Sequence, residues 1–159
     1  MKYRIISVGK IRESFYVEGI KEYMKRLRPY SQVEMIDGLE EKTNPKAGDK
    51  EIQRVLHKEG ERILALLSSD ELVVALDSRG KMLTSEELSA QIEKWNVSGL
   101  TRINLVVGGS HGLAPEIKQR ADFTLSFSPL TFPHHMAVLI LAEQLYRSFK
   151  IIKGEPYHK

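Results

Sequence analysis

Ile103-Asn104-Leu105-Val106-Val107-Gly108-Gly109 is almost wholly apolar until it ends in two glycines. It lacks the polar alternation of a half-exposed strand, which marks a strand covered on both faces. Leu72–Leu76 is a second run of that kind. Two such strands call for helices on both sides of a sheet, and the sequence outward from them supplies helices. Tyr3–Val8 reads as a strand closed by Gly9, and Val33–Ile36 as a short one. Residues 14–28 read as a helix, with Phe15, Ile20, Tyr23, Met24 and Leu27 at mostly helical spacings, stopping before Pro29. Residues 40–48, with Asn44-Pro45 and Gly48, form the clearest loop. Asp49 then caps a helix to about Leu67, with Ile52, Val55, Leu56, Ile63 and Leu64 on one stripe. Thr84-Ser85-Glu86-Glu87 is a capping box for a helix to about Trp95. Pro115 suits the first position of a short helix, and Phe123–Phe127 reads as the last strand. A loop through Pro129 and Pro133 leads to a final helix over His135–Ile152. The expected fold is therefore α/β: one domain over residues 1–159, with a mostly parallel sheet and helices on both faces.

The chain of 159 residues has no Cys, which removes disulfides, thiolate zinc sites, iron–sulfur clusters and cysteine nucleophiles. Neither the short apolar start nor Met136–Ala142 is long enough for a secretory core or a membrane span, so a soluble, cytoplasmic protein is expected. The net charge of +3 is unevenly spread. Residues 1–30 carry eight Lys/Arg against three Glu, and residues 31–71 carry six basic against ten acidic. Residues 139–159 are basic again. The two basic segments either share a face that meets a polyanion or are separate solvated surfaces.

Ligands of parallel sheets bind beyond the carboxyl ends of the strands. Three such ends stand out: Leu76–Gly80, Val107–Gly112 and Ser126–Pro133. The spacing Gly108-Gly109-x-x-Gly112 does not fit a dinucleotide fingerprint, and it comes late in the chain. Gly108-x-Ser110-x-Gly112 matches a nucleophile-elbow pattern, with Asp122 and His134 or His135 as partners of a serine hydrolase. Against it, Pro115 starts the next helix several residues after Ser110, whereas an elbow runs directly into its helix. His134 and His135 are adjacent and would diverge, and the other histidines stand alone, so no metal site is expected.

The last 29 residues are the most specific. They read Thr131-Phe132-Pro133-His134-His135-Met136, then Ala142-Glu143-Gln144-Leu145-Tyr146-Arg147, and end Gly154-Glu155-Pro156-Tyr157-His158-Lys159. Together with Val8-Gly9-Lys10 and the loops Val106–Leu113 and Leu125–His134, they make the whole chain resemble the RlmH (YbeA-like) family of SPOUT-class methyltransferases. The resemblance implies a C-terminal trefoil knot, a homodimer and S-adenosylmethionine as cofactor. It implies methylation of N3 of a pseudouridine in the intersubunit helix of 23S rRNA, on the assembled ribosome. By that likeness Leu76, Gly108, Phe127, Ser128, Pro129, Leu130, Thr131 and Phe132 bind the cofactor, while Arg147, Tyr157 and His158 are the catalytic positions near the target base. Relatives often carry Arg where this chain has Val138, which leaves a non-catalytic ribosome-binding protein as the alternative.

Methyl transfer from a sulfonium needs positioning more than covalent help, and the N3 proton must leave. His158 is the candidate base, because imidazole ordinarily titrates near neutrality. Arg147 either clamps a phosphate or developing charge, or pairs with Glu143 four residues earlier. Gly108 is expected where the cofactor passes close to the backbone, and Met136–Ala142, apolar all round, in a homodimer interface. Lys153–Lys159 is expected to be mobile until the substrate orders it.

Overall fold

The structure, a computed structural model, describes residues 1–159. Its elements are β1 (Lys2–Ser7), α1 (Ser14–Leu27), β2 (Gln32–Ile36), α2 (Asp49–Leu64), β3 (Leu72–Met82), α3 (Ser85–Asn96), β4 (Arg102–Val107), α4 (Pro115–Arg120), β5 (Phe123–Ser126) and α5 (His134–Ile152). The strands form one sheet in the order β2-β1-β4-β3-β5, and every pairing is parallel. The two runs singled out in the sequence are central, with β4 between β1 and β3.

The connections explain why both faces are covered. From β1 to β2 and from β3 to β4 the chain steps one way along the sheet, through α1 and α3. From β2 to β3 and from β4 to β5 it steps the other way, through α2 and α4. Right-handed crossovers of opposite direction must lie on opposite faces. Accordingly α1, α3 and α5 pack on one apolar core, which includes Tyr3, Leu27, Trp95, Val138 and Leu145. α2 and α4 pack on another, which includes Val8, Ile63, Val106 and Ile117. At the amino edge of the sheet a buried polar network is satisfied internally. Arg4 donates to Leu66 O at 2.8 Å, and Asn104 Nδ2 donates to Glu71 at 2.9 Å and to Leu72 O.

Several boundaries differ from the sequence reading. Gly48, in extended backbone, takes the N-cap position, so Asp49 is the first helical residue of α2, where its charge still suits the helix dipole. The helix ends at Leu64, because the Leu66 and Leu67 amides close tighter turns onto Ile63 and Leu64. Pro133 likewise caps α5, which begins at His134. The largest difference is β3. Its expected loop at Leu76–Gly80 is a bulge, after which Lys81 and Met82 pair again with β5. A Cβ on Gly80 would stand 2.8 Å from the backbone of Thr124 and Leu125, so the strand can return only through glycine. Phe15 is not a core residue; it is 65% exposed and lies on the Tyr16 ring at 4.0 Å.

α1 and α5 run side by side in the same direction. Tyr16 meets His135, Gly19 faces Leu139, Tyr23 meets Tyr146, and Tyr30 stacks on Phe149. Both helices start at the carboxyl edge of the sheet and end at the amino edge. No helix is long and apolar enough to cross a membrane.

Candidate active site

The three strand ends converge on one cleft of about 390 Å³. Leu76, Gly108, Phe127, Ser128, Leu130, Thr131 and Phe132 line it, together with Val107, Gly112, Lys118, His134 and Ala137. Pro129 is in the same loop but does not line the cleft. Phe127–Phe132 make no hydrogen bond to other backbone groups. Most of their amides and carbonyls remain available to a ligand; Leu130 N donates to Ser128 Oγ and Ser128 O accepts from Ser126 Oγ, both at 3.1 Å. At the rim, Lys118 Nζ meets Asp77 Oδ2 at 3.1 Å. Asp77 is held below the usual carboxylate range, first by the Arg79 amide that it accepts and then by Lys118.

Gly108 serves the loop itself. A Cβ there would lie 2.6 Å from the carbonyl carbon of Gly112, in a turn closed by Gly112 N on Gly109 O at 3.0 Å. Gly112 completes that turn at φ +81°, a conformation that favours glycine. A bulkier residue at 108 would therefore break the turn before it met any ligand. The serine-hydrolase constellation does not assemble. Asp122 sits at the start of β5, away from the cleft, accepting from Val73 N at 2.8 Å and pairing with Arg120 at 3.1 Å. His134 is bound to Lys10 O at 3.1 Å, and His135 lies beside Glu13.

The three residues matched to catalytic positions lie elsewhere. Arg147, Tyr157 and His158 gather at the far end of α5, and none lines the cleft. Glu143 Oε1 accepts from Arg147 Nη2 at 2.6 Å and from the Tyr157 hydroxyl at 3.0 Å. The Arg147 guanidinium stands 4.7 Å from the centre of the Tyr157 ring, which also meets Tyr146 edge-on. Arg147 Nη1 donates to His158 Nδ1 at 3.1 Å, which leaves the ring proton on Nε2, donated to Glu86 at 2.6 Å. Burial, and then the Glu143 carboxylate, push the Tyr157 hydroxyl up to about 12, so it stays a donor at neutral pH. The His158 contact in turn keeps Glu86 below the usual carboxylate range. The tail is thus pinned at Tyr157 and His158 rather than loose, because a ring, a cation and two acids hold it. Of the two readings of Arg147, the ion pair with Glu143 is present.

A family model described as "Predicted SPOUT methyltransferase" matches residues 1–158. The chain belongs to the SPOUT methyltransferases. Three curated relatives each bear the name ribosomal RNA large subunit methyltransferase H. They come from Syntrophomonas wolfei (63% identical), Carboxydothermus hydrogenoformans (47%) and Enterococcus faecalis (45%), and each aligns over the full length of both chains. Among solved structures, a "probable methylase family protein" from Haemophilus influenzae shares the fold at a TM-score of 0.52 and 16% identity. That match covers 99% of this chain and 70% of the other.

As a SPOUT methyltransferase the chain divides its candidate residues between the two ends of one helix. From His134 to Arg147 α5 rises about 20 Å at its usual pitch. Sequence reading missed Lys118 as a cleft residue, while Asp77 and His134 lie in loops it singled out without naming them as cofactor-site residues. Asp77 was within reach, because it directly follows the buried run Leu72–Leu76, whereas Lys118 carries no local signal. Val138 is fully buried between the helices and the sheet, so in this chain position 138 packs the core and touches no RNA. No group of three or more His, Asp or Glu is placed to hold a metal ion.

Proposed function

We propose that this chain methylates large-subunit ribosomal RNA with S-adenosylmethionine, at N3 of a pseudouridine in the intersubunit helix of the assembled ribosome. The reaction takes place in the cytoplasm and the enzyme is a homodimer. The observation that carries the cofactor assignment is the cleft at the carboxyl ends of β3, β4 and β5. Its volume falls within the usual range for small-ligand sites, about 300–1,000 Å³. Its walls are unpaired backbone of Phe127–Phe132 and glycine turns, which suit the edge of an adenine, and Leu76, Leu130 and Phe132 supply apolar cover. When bound, S-adenosylmethionine supplies a methyl group on a sulfonium, already activated for in-line displacement.

The chain's own residues then position and discharge the nucleophile. Arg147 presents a planar fork, close to Tyr157, to a phosphate or a base carbonyl whose charge grows as N3 loses its proton. Tyr157, kept protonated, donates to Glu143 and backs the Arg147 guanidinium with its ring. His158 serves as base only once the Arg147 contact opens, because that contact occupies its free lone pair. With the cleft and this cluster about 20 Å apart along α5, one protomer cannot apply both to one base. A two-fold pair, setting the cleft of one copy against the cluster of the other, brings them together. The part-exposed Met136, Leu139 and Ile140 of α5 and the exposed Phe15 offer apolar surface for that pairing. The trefoil knot belongs to the same reading. Its support is that the chain passes β3 on its way from β4 to β5, while both flanking linkers border one cleft.

The test is calorimetric titration with S-adenosylmethionine, followed by methyl transfer to ribosomes from cells lacking this modification. Stoichiometric binding and a single N3-methylated pseudouridine are expected. Binding without transfer to any ribosomal RNA would instead support the non-catalytic alternative.

A further inference from the structure

The structure sorts the basic amino-terminal segment into two classes. Arg4 is buried in the polar network, and Lys10, Arg12 and Arg26 are tied to Asp37, Glu40 and Glu22. Lys2, Lys21, Lys25 and Arg28 have no acidic partner and are exposed. Lys21, Lys25 and Arg28 stand at i, i+4 and i+7, and Arg28 keeps helical backbone, so the three form one stripe down the outer half of α1. Glu18 closes the stripe on the side toward the cleft.

The stripe runs beside the Arg147 cluster. Arg26, next to it on α1, places its guanidinium 5.4 Å from the Tyr23 ring and 5.8 Å from the Tyr146 ring. Tyr146 meets Tyr157 at 4.9 Å, and Tyr157 carries Arg147. Apart from Glu18, the acids of this region are already engaged: Glu22 by Arg26, Glu143 by Arg147, Glu155 by Lys150 and Glu86 by His158. The unpaired charge left over is positive, with exposed Lys153 and Lys159 of the tail adding to it. α2 carries a second row, Lys50, Arg54 and Lys58, but on the opposite face of the sheet.

We propose that Lys21, Lys25 and Arg28 form a phosphate track that grips the backbone of structured RNA and delivers its base to the Arg147–Tyr157–His158 cluster. The partner is a phosphodiester chain. Three exposed cations spaced along about 10 Å of helix meet a row of charges, and they do so without losing existing ion pairs. The inference rests on the proposed RNA methyl transfer and names the surface that holds the substrate.

The test compares the wild type with two triple variants of the full chain: Lys21→Gln/Lys25→Gln/Arg28→Gln on α1, and Lys50→Gln/Arg54→Gln/Lys58→Gln on α2. All six positions are exposed, so both variants are expected to fold, and an unchanged melting curve checks it. Co-sedimentation with unmodified ribosomes between 50 and 200 mM KCl reads binding independently of chemistry. The α1 variant should bind at least about tenfold more weakly near physiological salt, and the slope of log K against log salt should fall by about 2–3. The apparent KM for ribosomes should rise in step, with kcat and cofactor affinity close to wild type. The α2 variant should match the wild type throughout. If the α1 variant binds with wild-type affinity and slope, or the α2 variant loses as much, the track is wrong. Loss of ribosome binding confined to the α1 variant, in a wild type that transfers no methyl group, would keep the track and remove the proposed reaction. A wild type that ignores ribosomes but binds phosphatidylserine vesicles through the α1 stripe would overturn the track in favour of a membrane surface.

Discussion

The two ends of α5 are built on different principles. At its start the cleft is made of backbone: glycine turns at 108–112, an unpaired loop at 127–132, and the bulge that Gly80 permits. At its end the Arg147 cluster is made of long side chains that satisfy one another. Backbone recognition tolerates changes of side chain but not of chain path; a side-chain cluster is the reverse. Damage at the two ends should therefore look different, in kind as well as in size.

The sharpest break comes from the far end. Arg147→Ala, or deletion of Tyr157–Lys159, should reduce methyl transfer by about 10³-fold or more while cofactor affinity stays within about twofold. Paired transfer assays and calorimetry check it, and equal losses in both would merge the two ends into one site. Mixing two inactive chains sharpens the contrast. Thr131→Trp, which fills the cleft, co-assembled with Arg147→Ala should restore roughly a quarter of wild-type activity. Half of the random dimers are mixed, and each mixed dimer has one intact composite site. No recovery on mixing would mean that each protomer works with its own residues.

Gly108→Ala tests the near end. Its Cβ would stand 2.6 Å from Gly112, so we expect a loss of about 2–3 kcal/mol in unfolding free energy together with weaker cofactor binding. Leu130→Ala, at a residue 69% exposed, should leave stability unchanged within about 0.5 kcal/mol. The smallest effect is at the rim. The Asp77 carboxyl titrates below its ordinary value in the folded chain, so its stabilisation is complete above the unfolded pKa of about 3.9. It is lost as pH falls through the lowered folded value. Asp77→Asn should thus cost about 0.5–1 kcal/mol at neutral pH and progressively less below pH ~4, read from denaturant titrations at several pH values.

What was legible in the sequence follows the same division. The capping box formed as read: Thr84 accepts from Glu87 N at 3.1 Å while Glu87 accepts from Thr84 N at 2.8 Å, because both contacts lie within one turn. The buried runs Leu72–Leu76 and Ile103–Val107 gave the sheet centre, since apolar residues on both faces have few other solutions. The bulge after Leu76 was not legible. Asp77, Ser78 and Gly80 are the residues of a loop as much as of a bulge, and only the return of Lys81 to β5 decides between them. The Arg147–Glu143 pair was readable from its spacing of four. The anchoring of His158 was not, because its partner Glu86 is 72 residues away on α3. Side-chain contacts across such separations leave no periodicity to read.

One more consequence follows from α5 being a single uninterrupted helix of 19 residues that carries both ends. It acts as a ruler with a phase. A residue inserted between Leu141 and Glu143 would advance the cluster by only about 1.5 Å but turn it by about 100° away from α1 and α3. A full-turn insertion would keep the bearing but lengthen the ruler by about 5.4 Å, which in the proposed two-fold pair would carry the cluster past the partner's cleft. The loop at 40–48 carries no such measure, so the proposed pairing would tolerate a residue added there while losing its register to one added in α5 between Pro133 and Arg147.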